Sequence, residues 1–204
     1  MIRSKPYLIG LTGGIASGKS SLSNVLRQAG AVVIDADKIS HELTMVDGLA
    51  LPALKDAFGE TYFRHGALDR AALGNLVFSQ RAQLDKLNAL MYPLILSQME
   101  RQIDDNADQA VVILDVPLLY EAGWDSMCDE VWCAWAPKIV QVRRLMKRNG
   151  LSLRQALARI KSQMPAREKA RRASHVILTT GTRQESAKKA LTLWRDALRR
   201  ARRD

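Results

Sequence analysis

A glycine-rich run at positions 13–20 holds the residues of this chain that are best suited to chemistry, and it reads GGIASGKS. The run matches the pattern G-x-x-x-x-G-K-[ST], follows a strand-like segment and opens a helix-like one. Glycines let the backbone turn so that successive N–H groups point at phosphate oxygens. Lys19 is placed to bridge the β- and γ-phosphates, and the Ser20 hydroxyl to hold Mg²⁺. The spacing predicts a loop that binds a nucleoside triphosphate; the alternative is a strand-to-helix turn without a ligand.

Acidic side chains follow two other strand-like segments. Asp35 and Asp37 come directly after the run 31–34, and Asp115 ends the run 110–114. The carboxyl ends of parallel strands share one edge of a sheet, which is where ligands bind. Because residues two apart in an extended segment face the same way, one aspartate of the first pair can orient an attacking hydroxyl while the other assists metal-bound water.

Asp115 is placed to hold Mg²⁺ through water. The other acidic positions allow a second interpretation. The pair Asp35 and Asp37 can instead cap the next helix. Glu121, six residues beyond Asp115, either lines the same edge or has a structural role.

Arginines are concentrated on two further helix-like segments. Arg144 and Arg148 are four residues apart and share one face of a helix predicted over 138–148. Arg159 lies on the next predicted helix, across an Asn149-Gly150 turn. Guanidinium groups suit the charge that spreads over a transferring phosphoryl group, and a turn-linked helix pair can close as a lid. Without the glycine-rich loop, the same arginines would be interpreted as a solvated face.

The apolar pattern predicts the elements that position these groups. Strands are predicted at 7–12, 31–35, 110–115, 130–135 and 175–179. Helices are predicted at 17–28, 138–148, 153–162 and 184–203. Strands that alternate with helices favour an α/β fold, a doubly wound five-stranded parallel sheet of the P-loop NTPase type.

Residues 38–106 have a different character, because they show helical patterns without strand-like runs. Helices are predicted at 38–46, 50–58, 69–78 and 80–104, with Pro93 kinking or restarting the last one. This block is interpreted as a helical insertion. The core is then formed by residues 1–37 and 107–204, with a lid over about 138–165.

Composition excludes several classes of protein. Hydrophobic residues make up 47% and charged residues 25% of 204, as in soluble globular domains. The longest apolar run, at 110–114, is far shorter than the ~20 residues of a membrane-spanning helix. The first residues show no apolar signal region, and two cysteines with no histidine nearby indicate neither a disulfide framework nor a zinc site. We therefore expect a cytoplasmic enzyme that does not span a membrane.

The positive charge is concentrated near the end of the chain. Residues 138–204 hold 20 Lys/Arg against four acidic residues, within a net charge of +10. This bias predicts an anionic partner, either a highly phosphorylated small molecule or nucleic acid, although the run 199–203 is typical of a solvated helical face. Only 5% of residues are aromatic and no nucleic-acid-binding module is recognisable, so an ATP-regulated nucleic-acid-binding protein is the less favoured alternative.

Several motifs in order resemble the dephospho-coenzyme A kinase family. They are LTGGIASGKS at 11–20, VIDADKI at 33–39, LDRAAL at 68–73, DVPLLYEAG at 115–123, RLMKR at 144–148 and RIKSQMP at 159–165. The resemblance implies a P-loop kinase with a core, a lid and a helical domain at 38–106 that helps to bind the coenzyme A moiety. It implies ATP-dependent phosphorylation of the ribose 3′-hydroxyl of dephospho-coenzyme A, the last step of coenzyme A biosynthesis. A nucleoside or nucleotide kinase on the same scaffold remains the alternative.

The resemblance also implies roles for individual residues. ATP would be bound by Gly13, Gly14, Ile15, Ala16, Ser17, Gly18, Lys19, Ser20 and Ser21. The acceptor would be bound by Thr12, Asp35, Asp37, Leu118 and Glu121, with Asp37 as catalytic base and Mg²⁺ on Ser20 and, through water, Asp115. Lys19 and the lid arginines Arg144 and Arg148, joined by Arg159, would stabilise the transferring phosphoryl group.

Four sites depart from the usual pattern of that family. Tyr92-Pro93 stands where His-Pro is frequent, and Ser174-His175 stands for Ala-Asp. Ala16 replaces a common glycine, which matters little if its φ is negative. Thr179-Thr180-Gly181 replaces an asparagine-containing turn near the adenine.

Overall fold

The computed structural model describes residues 5–202, so residues 1–4, Arg203 and Asp204 lie outside the described residues, together with the last part of the basic run. The chain forms two compact units. One contains the residues up to Asp35 and from Ile103 onward, and the other is Ala36–Gln102. Within residues 5–202, none of the helices has the length and apolar character needed to cross a membrane.

The first unit is built on a five-stranded parallel sheet, which confirms the predicted fold class. The strands are β1 (Tyr7–Gly13), β2 (Val32–Asp35), β5 (Val111–Asp115), β6 (Glu130–Trp135) and β7 (His175–Leu178). Their order is β2-β5-β1-β6-β7. In register, Leu11 of β1 lies opposite Asp115 of β5, and Asp35 of β2 lies opposite Asp115 on its other side. The ends of these strands therefore meet at one edge of the sheet.

Helices cover both faces of this sheet. They are α1 (Lys19–Gln28), α6 (Lys138–Asn149), α7 (Leu153–Lys161), α8 (Ala166–Arg172) and α9 (Arg183–Ala201). One face carries the main core, where Ile9 and Leu11 of β1 pack with Leu22 of α1 and Trp194 of α9. Because side chains alternate along a strand, Gly10 and Thr12 belong to the opposite face, where α8 packs against β1 and β6.

The end of α6 and the start of α7 follow from local signals, as predicted. Gly150 ends α6 in the left-handed conformation, with φ of 63°. Ser152 begins α7 with a capping box, in which its hydroxyl accepts from Gln155 N and the Gln155 side chain accepts from Ser152 N.

The second unit is mainly helical. Its helices are α2 (Ala36–Leu43), α3 (Leu51–Phe58), α4 (Arg70–Ser79) and α5 (Arg81–Asp104). The expectation that it contains no strands is wrong, because β3 (Phe63–Arg64) and β4 (Ala67–Leu68) form a short antiparallel hairpin. His65 and Gly66 turn the chain between them with positive φ, a turn that suits the twist of paired strands. Pro93 lies inside α5, so it does not restart the helix.

Candidate active site

The glycine-rich loop joins β1 to α1, and its glycines are required by close approaches. A Cβ on Gly13 would lie 2.6 Å from the carbonyl oxygen of Ala134, and one on Gly14 would lie 2.8 Å from Ala166 Cβ. Gly18 has φ of 92° and precedes α1, where a side chain would also be strained. The Ser17 N–H donates to the Gly14 carbonyl at 3.0 Å, which closes the turn. The loop is thus shaped by its neighbours as well as by its own sequence.

Ala16 takes a left-handed conformation in this loop, with φ of 56°. The condition under which its replacement of glycine would matter little, a negative φ, is therefore not met, and a Cβ is strained in that region. The side chains of Ile15 and Ala16 pack against an apolar cluster of Val142, Leu145 and Ala156 on α6 and α7. This contact gives the Ala16 methyl group a packing role that offsets part of the strain.

Lys19 and Asp115 form an ion pair at the centre of the site. The Lys19 ammonium donates to Oδ1 of Asp115, whose Oδ2 accepts from Ser23 Oγ at 2.6 Å. Asp115 is 2% exposed, so its charge needs a nearby cation. Asp115 ends β5 beside β1 and therefore lies next to the loop that β1 feeds into α1. The sheet register thus sets where the Lys19 ammonium is held.

Ser20 and Asp115 supply the kind of oxygen ligands that Mg²⁺ prefers. The Ser20 side chain is exposed at the start of α1, one residue after Lys19. Both carboxylate oxygens of Asp115 already accept hydrogen bonds, so this side chain is suited to contact a metal through water rather than directly. The donor set therefore fits a magnesium ion that arrives with a nucleotide.

The structure brings Arg144, one of the three arginines predicted for a lid, to the loop. Arg144 donates through Nη1 to the Ala16 carbonyl at 3.4 Å and to Thr179 Oγ1 at 3.2 Å, and through Nη2 to the Thr179 carbonyl. Arg148 is exposed and donates to Asn149 Oδ1 at 3.0 Å instead. Arg159 is also exposed, on α7.

Thr179 was named from the sequence only as part of a turn near the adenine, and its contacts with the loop were not predicted. Its hydroxyl donates to the Ser17 carbonyl, and its side chain would meet a Cβ on Gly18 at 3.2 Å. Its N–H donates to the Trp135 carbonyl at 3.0 Å, which ties the end of β7 to the end of β6.

The segment after β5 lies against the buried face of α8. The Pro117 carbonyl accepts from Thr12 Oγ1 at 3.1 Å and from Lys169 Nζ at 2.6 Å. Glu121 Oε1 accepts from Met164 N at 2.9 Å and pairs with Lys169 Nζ at 2.8 Å. Leu118 is half-buried in the same segment. Glu121 therefore has structural contacts within this unit. Lys169 was missed because a lysine in a charged run gives no sign of burial.

The two aspartates after β2 do not lie in one extended segment. Asp35 ends the strand and accepts from Arg27 Nη2 at 3.1 Å, whereas α2 begins at Ala36 and Asp37 is exposed in its first turn. The expectation that they face the same way as neighbours on a strand is therefore wrong. The other end of α2 is anchored within the helical unit, because Arg70 donates to the His41 carbonyl at 2.6 Å.

The sheet, the loop and the lysine-carboxylate pair define the class of protein, one with the P-loop NTPase fold. A shikimate kinase from Acinetobacter baumannii has the same fold, with a TM-score of 0.53, 17% identity and coverage of 95% of both chains. At this identity the likeness concerns the fold alone.

Closer similarities identify the family. A family model described as dephospho-CoA kinase matches residues 7–185. A dephospho-CoA kinase of Carboxydothermus hydrogenoformans is 39% identical, over 93% of this chain and 96% of its own length. The structure of a dephospho-CoA kinase from Campylobacter jejuni aligns with a TM-score of 0.69 and 26% identity, over 95% of this chain and 98% of that one. The chain belongs to the dephospho-CoA kinase family.

The Ala16→Gly variant should be more stable than the wild type by about 1 kcal/mol, because glycine removes the strain of a Cβ at positive φ. Urea unfolding measures the difference. Ala16→Ser, which keeps a Cβ, is the control and should give no such gain. A lower free energy of unfolding for Ala16→Gly would show that the methyl contact with Val142 and Leu145 outweighs the strain.

The Lys19→Ala variant should lose stability as well as activity, because it leaves the buried Asp115 carboxylate without its cation. We expect a loss of about 3 kcal/mol in the free energy of unfolding. Adding Asp115→Asn should restore most of that stability and none of the activity. Unfolding of the single and double variants by urea measures both effects, and equal stability of Lys19→Ala and wild type would contradict the role given to the pair.

Proposed function

We propose that this protein transfers the γ-phosphoryl group of ATP to the ribose 3′-hydroxyl of dephospho-coenzyme A, giving coenzyme A and ADP in the last step of coenzyme A biosynthesis. The observation that carries the proposal is a complete phosphate-binding loop with Lys19 held by Asp115, in a chain matched over residues 7–185 by the dephospho-CoA kinase family model. Because ATP is an intracellular metabolite, we expect the enzyme to work in the cytoplasm.

The donor half of the site would be formed by the loop and the start of α1. The N–H groups of residues 13–18 and the Lys19 ammonium would bind the β- and γ-phosphates, with Ser20 and Ser21 at the first turn of the helix. Ser20, and Asp115 through water, would hold Mg²⁺, which when bound neutralises charge on the phosphates. When a nucleotide binds, the Lys19 ammonium would give up part of its contact with Asp115 and contact phosphate oxygens. Because both partners are anionic, the charge of Lys19 would stay paired.

The acceptor half would use residues at the same strand ends and in the helical unit. Thr12, Leu118 and Glu121 belong to the segments that meet at the Pro117 carbonyl, and Asp35 ends β2 opposite Asp115. The helical unit Ala36–Gln102 would help to bind the coenzyme A moiety. Asp37, exposed in the first turn of α2, would accept the proton of the 3′-hydroxyl or orient it for in-line attack.

The lid would be formed by α6 and α7, over about 138–165. Phosphoryl transfer depends on positioning and on stabilisation of spread negative charge, with little covalent chemistry for the protein to perform. Arg144 already contacts the loop through Ala16 and Thr179. It would stabilise the transferring group together with Arg148 and Arg159, and closure of the helix pair would exclude water.

An acceptor panel tests the proposed reaction against its nearest rival. The purified protein is assayed with Mg·ATP and, in turn, dephospho-coenzyme A, adenosine, AMP and other nucleosides and monophosphates. We expect ADP release and a new 3′-phosphomonoester, detected by ³¹P NMR, with dephospho-coenzyme A alone. Turnover that prefers a nucleoside or a nucleoside monophosphate would replace the proposal with a nucleotide kinase.

The Asp37→Asn variant should lower kcat for dephospho-coenzyme A by about 10²–10⁴-fold, because an amide cannot accept the proton of the hydroxyl. Its fold should be unchanged, since Asp37 is an exposed residue of α2. Asp56→Asn, a change at an exposed aspartate of α3, is the matched control and should leave kcat unchanged. Near-normal turnover of Asp37→Asn would remove the base assignment while leaving the loop assignments intact.

A further inference from the structure

Lys169 is a fully buried lysine on the short helix α8, with 0% of its surface exposed. Removing an ammonium group from water costs several kcal/mol unless it is paired and hydrogen-bonded. The Lys169 ammonium meets this requirement with two acceptors, the Pro117 carbonyl at 2.6 Å and Glu121 Oε1 at 2.8 Å. Both acceptors lie in the segment that follows β5, so this lysine fixes that segment against α8.

Each acceptor of Lys169 is shared with another part of the fold. The Pro117 carbonyl also accepts from Thr12 Oγ1 at 3.1 Å, at the end of β1. Glu121 Oε1 also accepts from Met164 N at 2.9 Å, in the connection between α7 and α8. One ammonium group therefore links the last residues of β1, the segment after β5 and the end of the lid.

The surroundings of Lys169 connect it with the phosphate-binding loop. Ala166, one turn earlier on α8, lies where a Cβ on Gly14 would come within 2.8 Å. The pKa of Lys169 is lowered, mainly by burial and also by repulsion from the Lys19 ammonium, while Glu121 acts in the opposite direction. Lys169 thus lies close enough to Lys19 for the two charges to interact, yet its hydrogen bonds go to the acceptor segment.

A packing role alone does not call for a charged group at this position. Buried ion pairs contribute little net stability compared with apolar residues of similar size, so a methionine or leucine would fill the same space. What an apolar residue cannot do is hold the Pro117 carbonyl and the Glu121 carboxylate at fixed positions. These groups belong to the same segment as Leu118, which the proposed function assigns to acceptor binding.

We propose that Lys169 is a positioning residue for the acceptor: through the Pro117 carbonyl and Glu121, it fixes the segment 117–121 that holds dephospho-coenzyme A. The inference rests on the proposed function and adds a residue that acts through others, without contact with the reacting atoms. Its effect is therefore on the affinity and alignment of the acceptor rather than on the binding of ATP.

Steady-state kinetics of Lys169→Met test this role. We expect the KM for dephospho-coenzyme A to rise at least about tenfold, because a misplaced binding segment weakens contact with the substrate, while the KM for ATP changes less than about twofold. Arg171→Met, which changes a 77% exposed side chain of the same helix, is the matched control and should keep both KM values. A merely structural role would lower stability without this split between the two substrates.

Two further variants cover the case in which Lys169→Met fails to fold because Glu121 is left buried without a cation. In Lys169→Met/Glu121→Gln neither charge is unpaired, and the amide oxygen can still accept from Met164 N. Compared with Glu121→Gln alone, the double variant loses the contact with the Pro117 carbonyl and should show a further rise in acceptor KM. Equal acceptor KM values in that pair, or a wild-type acceptor KM in folded Lys169→Met, would overturn the inference.

Wild-type turnover in the same experiment separates this inference from the proposed function. If the wild type does not phosphorylate dephospho-coenzyme A, the proposed function fails and the inference fails with it. If the wild type is active and the variants keep its acceptor KM, the inference alone is wrong.

Discussion

The need of one buried carboxylate for a cation organises this site. Asp115 is 2% exposed at the end of β5, where parallel pairing places it beside Leu11 of β1 and Asp35 of β2. Lys19, the first residue of α1, balances this charge from the end of the loop after β1. The position of the phosphate-binding lysine is therefore set by sheet register and electrostatics together. A glycine is required at position 13 of this loop, because the backbone there passes within contact distance of Ala134 on the neighbouring strand.

Two groups of contacts surround the ion pair of Lys19 and Asp115. On one side, α6 and α7 meet the loop through Ile15, Ala16 and the apolar cluster, and Arg144 holds the loop carbonyl of Ala16. On the other side, α8 closes against Gly14 and uses Lys169 to fix the segment after β5. The glycine-rich loop is thus held by α6 and α7, and the proposed acceptor segment by a buried ion pair. The glycine-rich loop thus contacts α6, α7 and α8.

The sequence allowed the sheet and the loop to be predicted because both depend on local signals. Buried parallel strands appear as short apolar runs, and the lysine-containing loop has a fixed spacing between a strand and a helix. The start of α2 was predicted at residue 38 instead of Ala36, because Asp35-Ala36-Asp37 was interpreted as an extended segment. Helix α8 was missed because its buried residue is Lys169, so that no apolar stripe marks the helix. The left-handed Ala16 and the partners of Glu121 depend on packing between distant segments, which no local pattern encodes.

The central claim is that the phosphate-binding lysine and an aspartate of the helical unit serve one reaction. A crystal structure with a non-hydrolysable ATP analogue, Mg²⁺ and dephospho-coenzyme A tests it most directly. We predict that Lys19 Nζ contacts the β- and γ-phosphates and that a carboxylate oxygen of Asp37 lies about 3 Å from the ribose 3′-hydroxyl. An acceptor bound with that hydroxyl beyond the reach of Asp37, while the nucleotide occupies the loop, would contradict the account and leave nucleotide binding as the function that the site supports.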